Sequence, residues 1–569
     1  MTNCQSLNEY IANAIREYWE RPALSDLGSV PSTIGYKDVA RKIAKIHILF
    51  REAGIKPGDK VALCGKNSSL WCVAFLATVT YGAVIVPILP DFKPDNIQQL
   101  VVHADARMAF MDESHWDSIN PDGMPSLAGA ISLHNLSLLF SRSKALDKAR
   151  AHLNELFGKE YPNRFSPDDI KYYKEERDQL CLISYTSGST GFSKGVMLPC
   201  RSLWSNLRFC NDHLPSDPGD GVVCMLPLAH MYGLTIDMLR PFVCGNHIYI
   251  LTRTPSPRIL VEAFAQVKPK IIVVVPLIIE KIIRTRVFPL LDKPLMKLML
   301  KVPFVDEKLL ARVKARLVDT FGGNLKQLIV GGAGLNRDVE KFLRRIGFPY
   351  TVGYGMTECG PLIAYSPWDQ NRMASCGRIV DRMECIIDSP DATTVPGVLK
   401  VKGDNVMLGY YKNPEATAAT IKDGWLTTGD ICNMDADGFL YIRGRDKNMI
   451  LGASGQNIYP EEIEDKLNNL PYVSESLVID AGGGRLTALI FPDLESAASQ
   501  NITPADLQGI MEENIKVLNT DLPAYSQVHG FKIREEEFEK PPNGQSNAIS
   551  ITSDPHHTGT DTASASEEL

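Results

Sequence analysis

The most chemically loaded stretch of the chain is YTSGSTGFSKGVML at 185–198, where Thr186, Ser187, Ser189 and Thr190 set four hydroxyls around Gly188 and Gly191 and Lys194 follows. Glycines let backbone N–H groups approach an anion, hydroxyls donate further hydrogen bonds, and a lysine adds a compact positive charge, so the set suits phosphate. The spacing from glycine to lysine is not that of a GxxxxGK[ST] loop. A Ser/Gly-rich surface linker would also explain the small residues. A linker has no reason, however, to follow the apolar strand LCLIS or to carry one lysine inside the apolar-flanked GFSKGVML.

Such a loop needs a rigid frame. The run at 60–88, KVALCGKNSSLWCVAFLATVTYGAVIVPI, reads as strand, turn, apolar helix and strand, the βαβ pattern of a parallel sheet. VVCMLPLAHMYG, IIVVVP and LKQLIVGGAG each pass from a β-branched apolar stretch into Gly or Pro, as where loops leave the carboxyl ends of parallel strands and ligands bind. Between 366 and 411 short segments such as MECIIDS and GVLKVKG, separated by turn residues, predict a small β portion. Near GRDKNMI the charge density rises, and EEIEDKLNNL then PYVSESLVID read as helix followed by strand. The expected architecture is α/β: a large domain over 1–445 of parallel and mixed sheets flanked by helices, with a β subdomain at about 366–445, then a small mobile α+β domain over 446–540. The tail 541–569, rich in Ser, Thr, Pro, Gly and Asn, is expected to be disordered, with His556 and His557 solvated.

At 569 residues the chain is too long for one core, and 44% hydrophobic with 22% charged residues fits neither a disordered nor a membrane-embedded protein. A net charge of -7 without a long basic run argues against nucleic acid as a partner. Twelve cysteines scattered without CxxC pairs suggest neither a zinc site nor a disulfide framework and fit a reducing cytoplasm. Leu7, Tyr10, Ile11, Ala14, Ile15 and Tyr18 share one face of a 3.6-residue period, which predicts a docked amphipathic helix and not a signal peptide. No apolar run is long enough to span a bilayer, leaving at most peripheral membrane contact.

The phosphate loop, together with LPLAHMYG at 226–233, GGAGL at 331–335, GYGMTE at 353–358, WLTTGD at 425–430 and RDKNMI at 445–450, resembles in order and separation the adenylate-forming superfamily of acyl-CoA synthetases, luciferase and nonribosomal adenylation domains. The resemblance covers nearly the whole chain. It implies an ATP-dependent acid:CoA ligase in which a carboxylate is joined to AMP with loss of pyrophosphate and then passed to coenzyme A. It further implies that Glu358 holds Mg²⁺ as a hard oxygen donor, that Thr357 contacts the α-phosphate, and that Tyr354, flanked by Gly353, Gly355 and Met356, stacks on adenine. Asp430 would accept both ribose hydroxyls, Arg445 would add a ribose and phosphate contact, and Asp446 and Lys447 would be the hinge of the small domain. His230, Met231 and Tyr232 with Gly331, Gly332 and Ala333 would line the acid's route. Read without the resemblance, Thr357–Glu358 is a helix N-terminal pair, Asp430 an Asx turn, Arg445 an exposed charge and His230 a packed side chain.

Two positions depart from the family pattern, one of them with chemical consequence. The superfamily ends with a lysine that reaches the α-phosphate and the acid, and EFEKPPNGQSNA places Gln545 there. A neutral glutamine supplies no charge where negative charge builds, so adenylation is expected to be weak while thioester formation from a supplied acyl-adenylate survives. Lys540 is near in sequence, with no assigned role, and Val398 replaces the usual acidic residue after PG without chemical consequence. The insertion between IIVVVP and LIVGGAG resembles the helical connector of long-chain ligases, which makes a fatty acid the first choice of substrate. The alternatives are loading of a carrier-protein phosphopantetheine, or a nucleotide- and acyl-binding homologue that no longer turns over.

Overall fold

The structure, a computed structural model, describes residues 6–28, 32–186, 193–291, 293–299, 305–452, 456–482, 485–500 and 502–538. The chain folds as α/β. The run at 60–88 forms Lys60–Cys64, the helix Ser69–Thr80 and Val84–Ile88, and the two strands pair in parallel. The helix is apolar all round and correspondingly buried all round, with Trp71 and Phe75 fully enclosed. These strands sit at the centre of an eight-stranded sheet that continues through Leu180–Thr186, Lys194–Pro199 and the short strand Gly409–Tyr410 at one edge.

The predicted N-terminal helix is Leu7–Glu17, capped by Ser6, whose hydroxyl accepts from Glu9 N–H. Leu7, Tyr10, Ile11, Ala14 and Ile15, all at most 1% exposed, anchor it to the main core.

Two further sheets carry the remaining strand-to-loop motifs. Gly221–Cys224 pairs in parallel with His247–Leu251, and Ile271–Val274, Gln327–Val330 and Tyr350–Val352 form a three-stranded parallel sheet. All three motif strands end at the same kind of edge, where LPLAHMYG, GGAGL and GYGMTE emerge. The connector after Ile271–Val274 is helical through Pro276–Ile282, Ile283–Val287, Phe288–Leu291, Pro294–Met299 and Val305–Thr320.

In the β portion, Met383–Asp388, Gly397–Gly403, Trp425–Met434 and Leu440–Arg445 build one antiparallel sheet with Ile421–Lys422 at its edge. Gly409–Tyr410 leaves that sheet and pairs with Val196 and Met197, tying the β portion to the eight-stranded sheet. After Arg445 a separate hydrophobic cluster forms around Ile463, Leu467, Leu486, Ile490 and Met511. It rests on the helix Pro460–Leu467 and the strands Val473–Asp480, Leu486–Pro492 and Val528–Ile533. The expected disordered tail at 541–569, with Lys540 and Gln545, lies outside the described residues. Among the described residues no helix is long and apolar enough to cross a membrane.

Candidate active site

Strand pairing brings the phosphate-loop lysine to the acidic motif. Leu180–Thr186 and Lys194–Pro199 form an antiparallel hairpin in which Thr186 and Lys194 are the pair next to the connecting loop. The loop joining them carries Ser187, Gly188, Ser189, Thr190 and Gly191, which lie outside the described residues. Lys194 Nζ stands 4.9 Å from the centroid of the Tyr410 ring. The Tyr410 hydroxyl donates to Glu358 Oε1 at 2.9 Å, so one tyrosine touches both groups. Tyr410 reaches this place because its strand pairs with Val196, two residues beyond Lys194.

Glu358 sits in the short 3₁₀ turn Thr357–Cys359, and its own carbonyl accepts from Met407 N–H at 2.8 Å. The turn needs glycine on both sides. A Cβ on Gly355 would collide with Pro361 O, and Gly360 adopts φ 59 against Ser202. Burial pushes the Glu358 carboxyl above its ordinary range, while the Tyr410 hydroxyl, Arg445 and Lys194 pull it back. Both cations therefore act on this carboxylate.

A second group adjoins the first. Asp430 and Arg445 are direct partners across the strands Trp425–Met434 and Leu440–Arg445, and Arg445 Nε lies 2.9 Å from Asp430 Oδ1. The Tyr354 hydroxyl donates to Asp430 Oδ2 at 2.5 Å. Asp430 is only 4% exposed, and burial raises its carboxyl while Arg445 and Tyr354 oppose the rise. Its backbone N–H donates to Thr428 Oγ1 at 3.0 Å, which fixes the turn before it. Tyr354 thus spends its hydroxyl on the aspartate expected to meet ribose.

The remaining predicted residues rim these groups. Gly353 N–H donates to Val330 O at 2.9 Å, seating the GYGMTE loop against the strand that leads into Gly331, Gly332 and Ala333. Gly332 has φ 89 and is exposed. Gly353, Gly355, Met356 and Thr357 are all half-buried, lining rather than filling the core. His230, also half-buried, begins the helical turn after LPLA, its N–H donating to Pro227 O. Asp446 and Lys447 form an exposed 3₁₀ turn directly after Arg445. Glu461, at the start of the next helix, accepts from Asn448 Nδ2 at 2.7 Å and from Arg445 N–H at 3.4 Å.

Sequence reasoning missed Tyr410, which joins the lysine to the glutamate. Its motif, GYYKNP, reads as an ordinary strand end. The only route to its role is the long-range pairing itself.

The sequence pattern of the family described as AMP-binding enzyme matches residues 11–411. A long-chain-fatty-acid–CoA ligase of Escherichia coli O6:H1 is 28% identical over 504 residues, covering 84% of each chain. A chloroplastic long-chain-fatty-acid–[acyl-carrier-protein] ligase of Arabidopsis thaliana is 27% identical, over 86% of this chain and 76% of that one. The crystal structure of ATP-bound MatB from Rhodopseudomonas palustris superposes with a TM-score of 0.73 at 22% identity, over 94% of this chain and 96% of that one. That last likeness speaks for the fold, which is the adenylate-forming architecture. With a match over most of its length and the motifs gathered at one edge of the sheets, the chain belongs to the AMP-binding enzyme family.

Proposed function

We propose that the protein is an AMP-forming acid:CoA ligase. In the first half-reaction a carboxylate oxygen attacks the α-phosphorus of ATP, the bond to the β-phosphate oxygen breaks, and pyrophosphate leaves. In the second, the thiol of coenzyme A adds to the acyl carbonyl, gives up its proton, and expels AMP. The observation that carries this reading is that Tyr410 joins Lys194 to Glu358, Asp430 takes both Tyr354 and Arg445, and the charge of Arg445 also acts on the Glu358 carboxylate.

Each residue has a task that its chemistry suits. Lys194 and the hydroxyl-rich loop hold the outgoing phosphates, and Thr357 the α-phosphate. Asp430 already accepts from Tyr354 and Arg445, yet a carboxylate has about four lone-pair sites, which leaves room for two ribose hydroxyls. Arg445 adds charge beside ribose and phosphate, and the Tyr354 ring offers a face for adenine. Glu358 would hold Mg²⁺, an ion commonly bound by one or two carboxylates plus substrate phosphates. The donor set fits, since Glu358 keeps Oε2 beyond its bond to Tyr410. When bound, the ion neutralises phosphate charge.

Asp446 and Lys447 would be the pivot between half-reactions. In support, polar links from the small cluster to the large domain include surface contacts such as Arg337 to Asp465 at 3.4 Å, and Arg284 to Asn469 Oδ1 at 3.1 Å. His230 would line the acid's route and takes no proton, because the attacking carboxylate is already ionised. For the acid we favour a long-chain fatty acid, on the helical connector and the Escherichia coli relative. A cytoplasmic location accords with the scattered cysteines.

A screen of fatty and aromatic acids for CoA-dependent AMP release tests the reading. Release with at least one acid is expected, and its absence with every acid and acceptor refutes it. The Arabidopsis relative motivates a second reading, transfer to a carrier protein, and saturation by holo-carrier in place of free CoA would select it. ATP binding without AMP or thioester would instead mark a homologue that no longer turns over, as Gln545 suggests.

A further inference from the structure

The turn that carries Glu358 is held by side chains the reaction does not touch. Between the 3₁₀ turn Thr357–Cys359 and the strand Leu362–Tyr365 the chain reverses at Gly360, φ 59, and Cys359 is fully buried. Backbone groups buried in such a reversal must find partners outside it. Three side chains supply them. Asn206 Nδ2 donates to Cys359 O at 3.1 Å, and Asn206 Oδ1 accepts from Leu362 N–H at 2.9 Å. Thr235 Oγ1, in the π-helical turn Gly233–Leu239, donates to Gly360 O at 3.2 Å. Asn405 Nδ2 donates to Leu362 O at 2.7 Å. All three side chains belong to fully buried residues.

Asn206 has the central part. It lies on the helix Cys200–His213, and its bonds to Cys359 and Leu362 bracket the reversal. Nδ2 also donates to Ser202 O at 2.8 Å, one turn back on the same helix, which fixes the amide plane. Donor and acceptor are thus both used, a combination that an aspartate, without donors, or a leucine, without either, does not supply. The same helix fastens the other side of Glu358. Arg201 Nη1 donates to Asp404 O at 2.6 Å and Val406 O at 2.8 Å, and Ser202 Oγ donates to Asn405 O at 2.7 Å. That segment continues into Met407, whose N–H meets Glu358 O, and Tyr410, whose hydroxyl meets Glu358 Oε1. One helix therefore fixes both the backbone beside the glutamate and the partner of its carboxylate.

We infer that Asn206, with Thr235 beside it, is a positioning residue for the metal–triphosphate half of the site, aiming the Glu358 carboxylate at the phosphates by gripping the backbone on both sides of the reversal. The inference rests on the ligase reading and adds to it the residue that makes the site favour Mg·ATP over AMP. AMP has no β- or γ-phosphate to share with an ion, and its ribose meets Asp430 and Arg445, which are paired on a different hairpin. Mg·ATP calls on Glu358 in addition. Loosening the turn therefore weakens the triphosphate and spares the monophosphate.

Calorimetric titration of the full chain with Mg·ATP and with AMP tests this without requiring turnover. Asn206→Ala removes two hydrogen bonds from the turn, so the Kd of Mg·ATP should rise about tenfold or more and that of AMP about twofold at most. Thr235→Val removes one bond at nearly constant volume and should raise the Kd of Mg·ATP about three- to fivefold, with AMP unmoved. It decides the question by itself where Asn206→Ala does not fold. ATP offered with a chelator in place of Mg²⁺ should bind both variants as it binds the wild type. Folded variants in which Mg·ATP and AMP weaken by the same factor, or in which neither weakens, overturn this proposal alone. A wild type that binds neither nucleotide overturns the ligase reading and this proposal with it.

Discussion

Asp237 gives the sharpest quantitative expectation. It lies fully buried in the π-helical turn Gly233–Leu239. Its Oδ2 accepts from Met225 N–H at 2.9 Å and Leu226 N–H at 3.2 Å, so it ties down the start of the loop that carries His230 and Tyr232. Its Oδ1 has no hydrogen-bond partner among the described residues. Burial pushes its carboxyl up to about 7 against the pull of those donors and the Cys224 thiol. In the unfolded chain it titrates at about 3.9. Between those values the folded protein keeps a proton that the unfolded chain releases. Stability from this group is therefore complete below about pH 4, falls as pH rises towards about 7, and changes no further above. The rise from the unfolded to the folded value corresponds to about 4 kcal/mol across that window. Asp237→Asn keeps an acceptor for the two N–H groups and cannot ionise. It should match the wild type near pH 4 and be the more stable by up to about 4 kcal/mol near pH 8. Urea unfolding followed by tryptophan fluorescence reads this directly, since Trp71 belongs to the same hydrophobic cluster as Leu234 and Met238. Parallel stability curves for the two proteins between those pH values would refute the reasoning.

Other expectations concern the chemistry. Tyr410→Phe leaves the ring beside Lys194 and removes the hydroxyl from Glu358, a hydrogen bond to a charged group worth about 1.5–3 kcal/mol. kcat/KM for ATP should fall about ten- to a hundredfold, and steady-state kinetics showing less than a twofold loss would contradict the bridge. Burial raises Glu358, so the acid limb of the pH profile should lie above the ordinary glutamate range, and Tyr410→Phe should move it higher still by removing a group that favours the carboxylate. Gly355→Ala drives a Cβ into Pro361 O and should cost about 1–3 kcal/mol of stability, seen as a lower melting temperature together with lost ATP binding. Gln545→Lys should raise the adenylation rate about a hundredfold in single-turnover measurements, with thiolysis of supplied acyl-adenylate unchanged.

Much of this architecture is legible in the sequence because local pattern and tertiary role coincide. The strand, apolar helix and strand at 60–88, the amphipathic face at Leu7–Glu17, and the strands running into LPLAHMYG, GGAGL and GYGMTE all announce themselves by period and by Gly or Pro. Asp430 and Arg445 are separated by a whole β-hairpin, and their pairing becomes visible only when the two strands are registered. Tyr410 is less legible still, since a two-residue strand joins it to Val196 across nearly half the length of the large domain. The π-helical turn at Gly233–Leu239 has no sequence signal either. GLTIDML has ordinary helical composition, and what distinguishes it, Asp237 receiving two N–H groups from the preceding strand end, is a tertiary contact.

The central claim is that one site first joins the acid to AMP and then releases AMP to a thiol. Supplying the carboxylic acid with ¹⁸O in both carboxylate oxygens, together with ATP and CoA, tests it most directly by mass spectrometry of the nucleotide product. A single ¹⁸O in the phosphate of AMP is the predicted result, because the attacking oxygen stays with phosphorus when the thiol displaces it. Unlabelled AMP, or ADP as the product, would contradict the account.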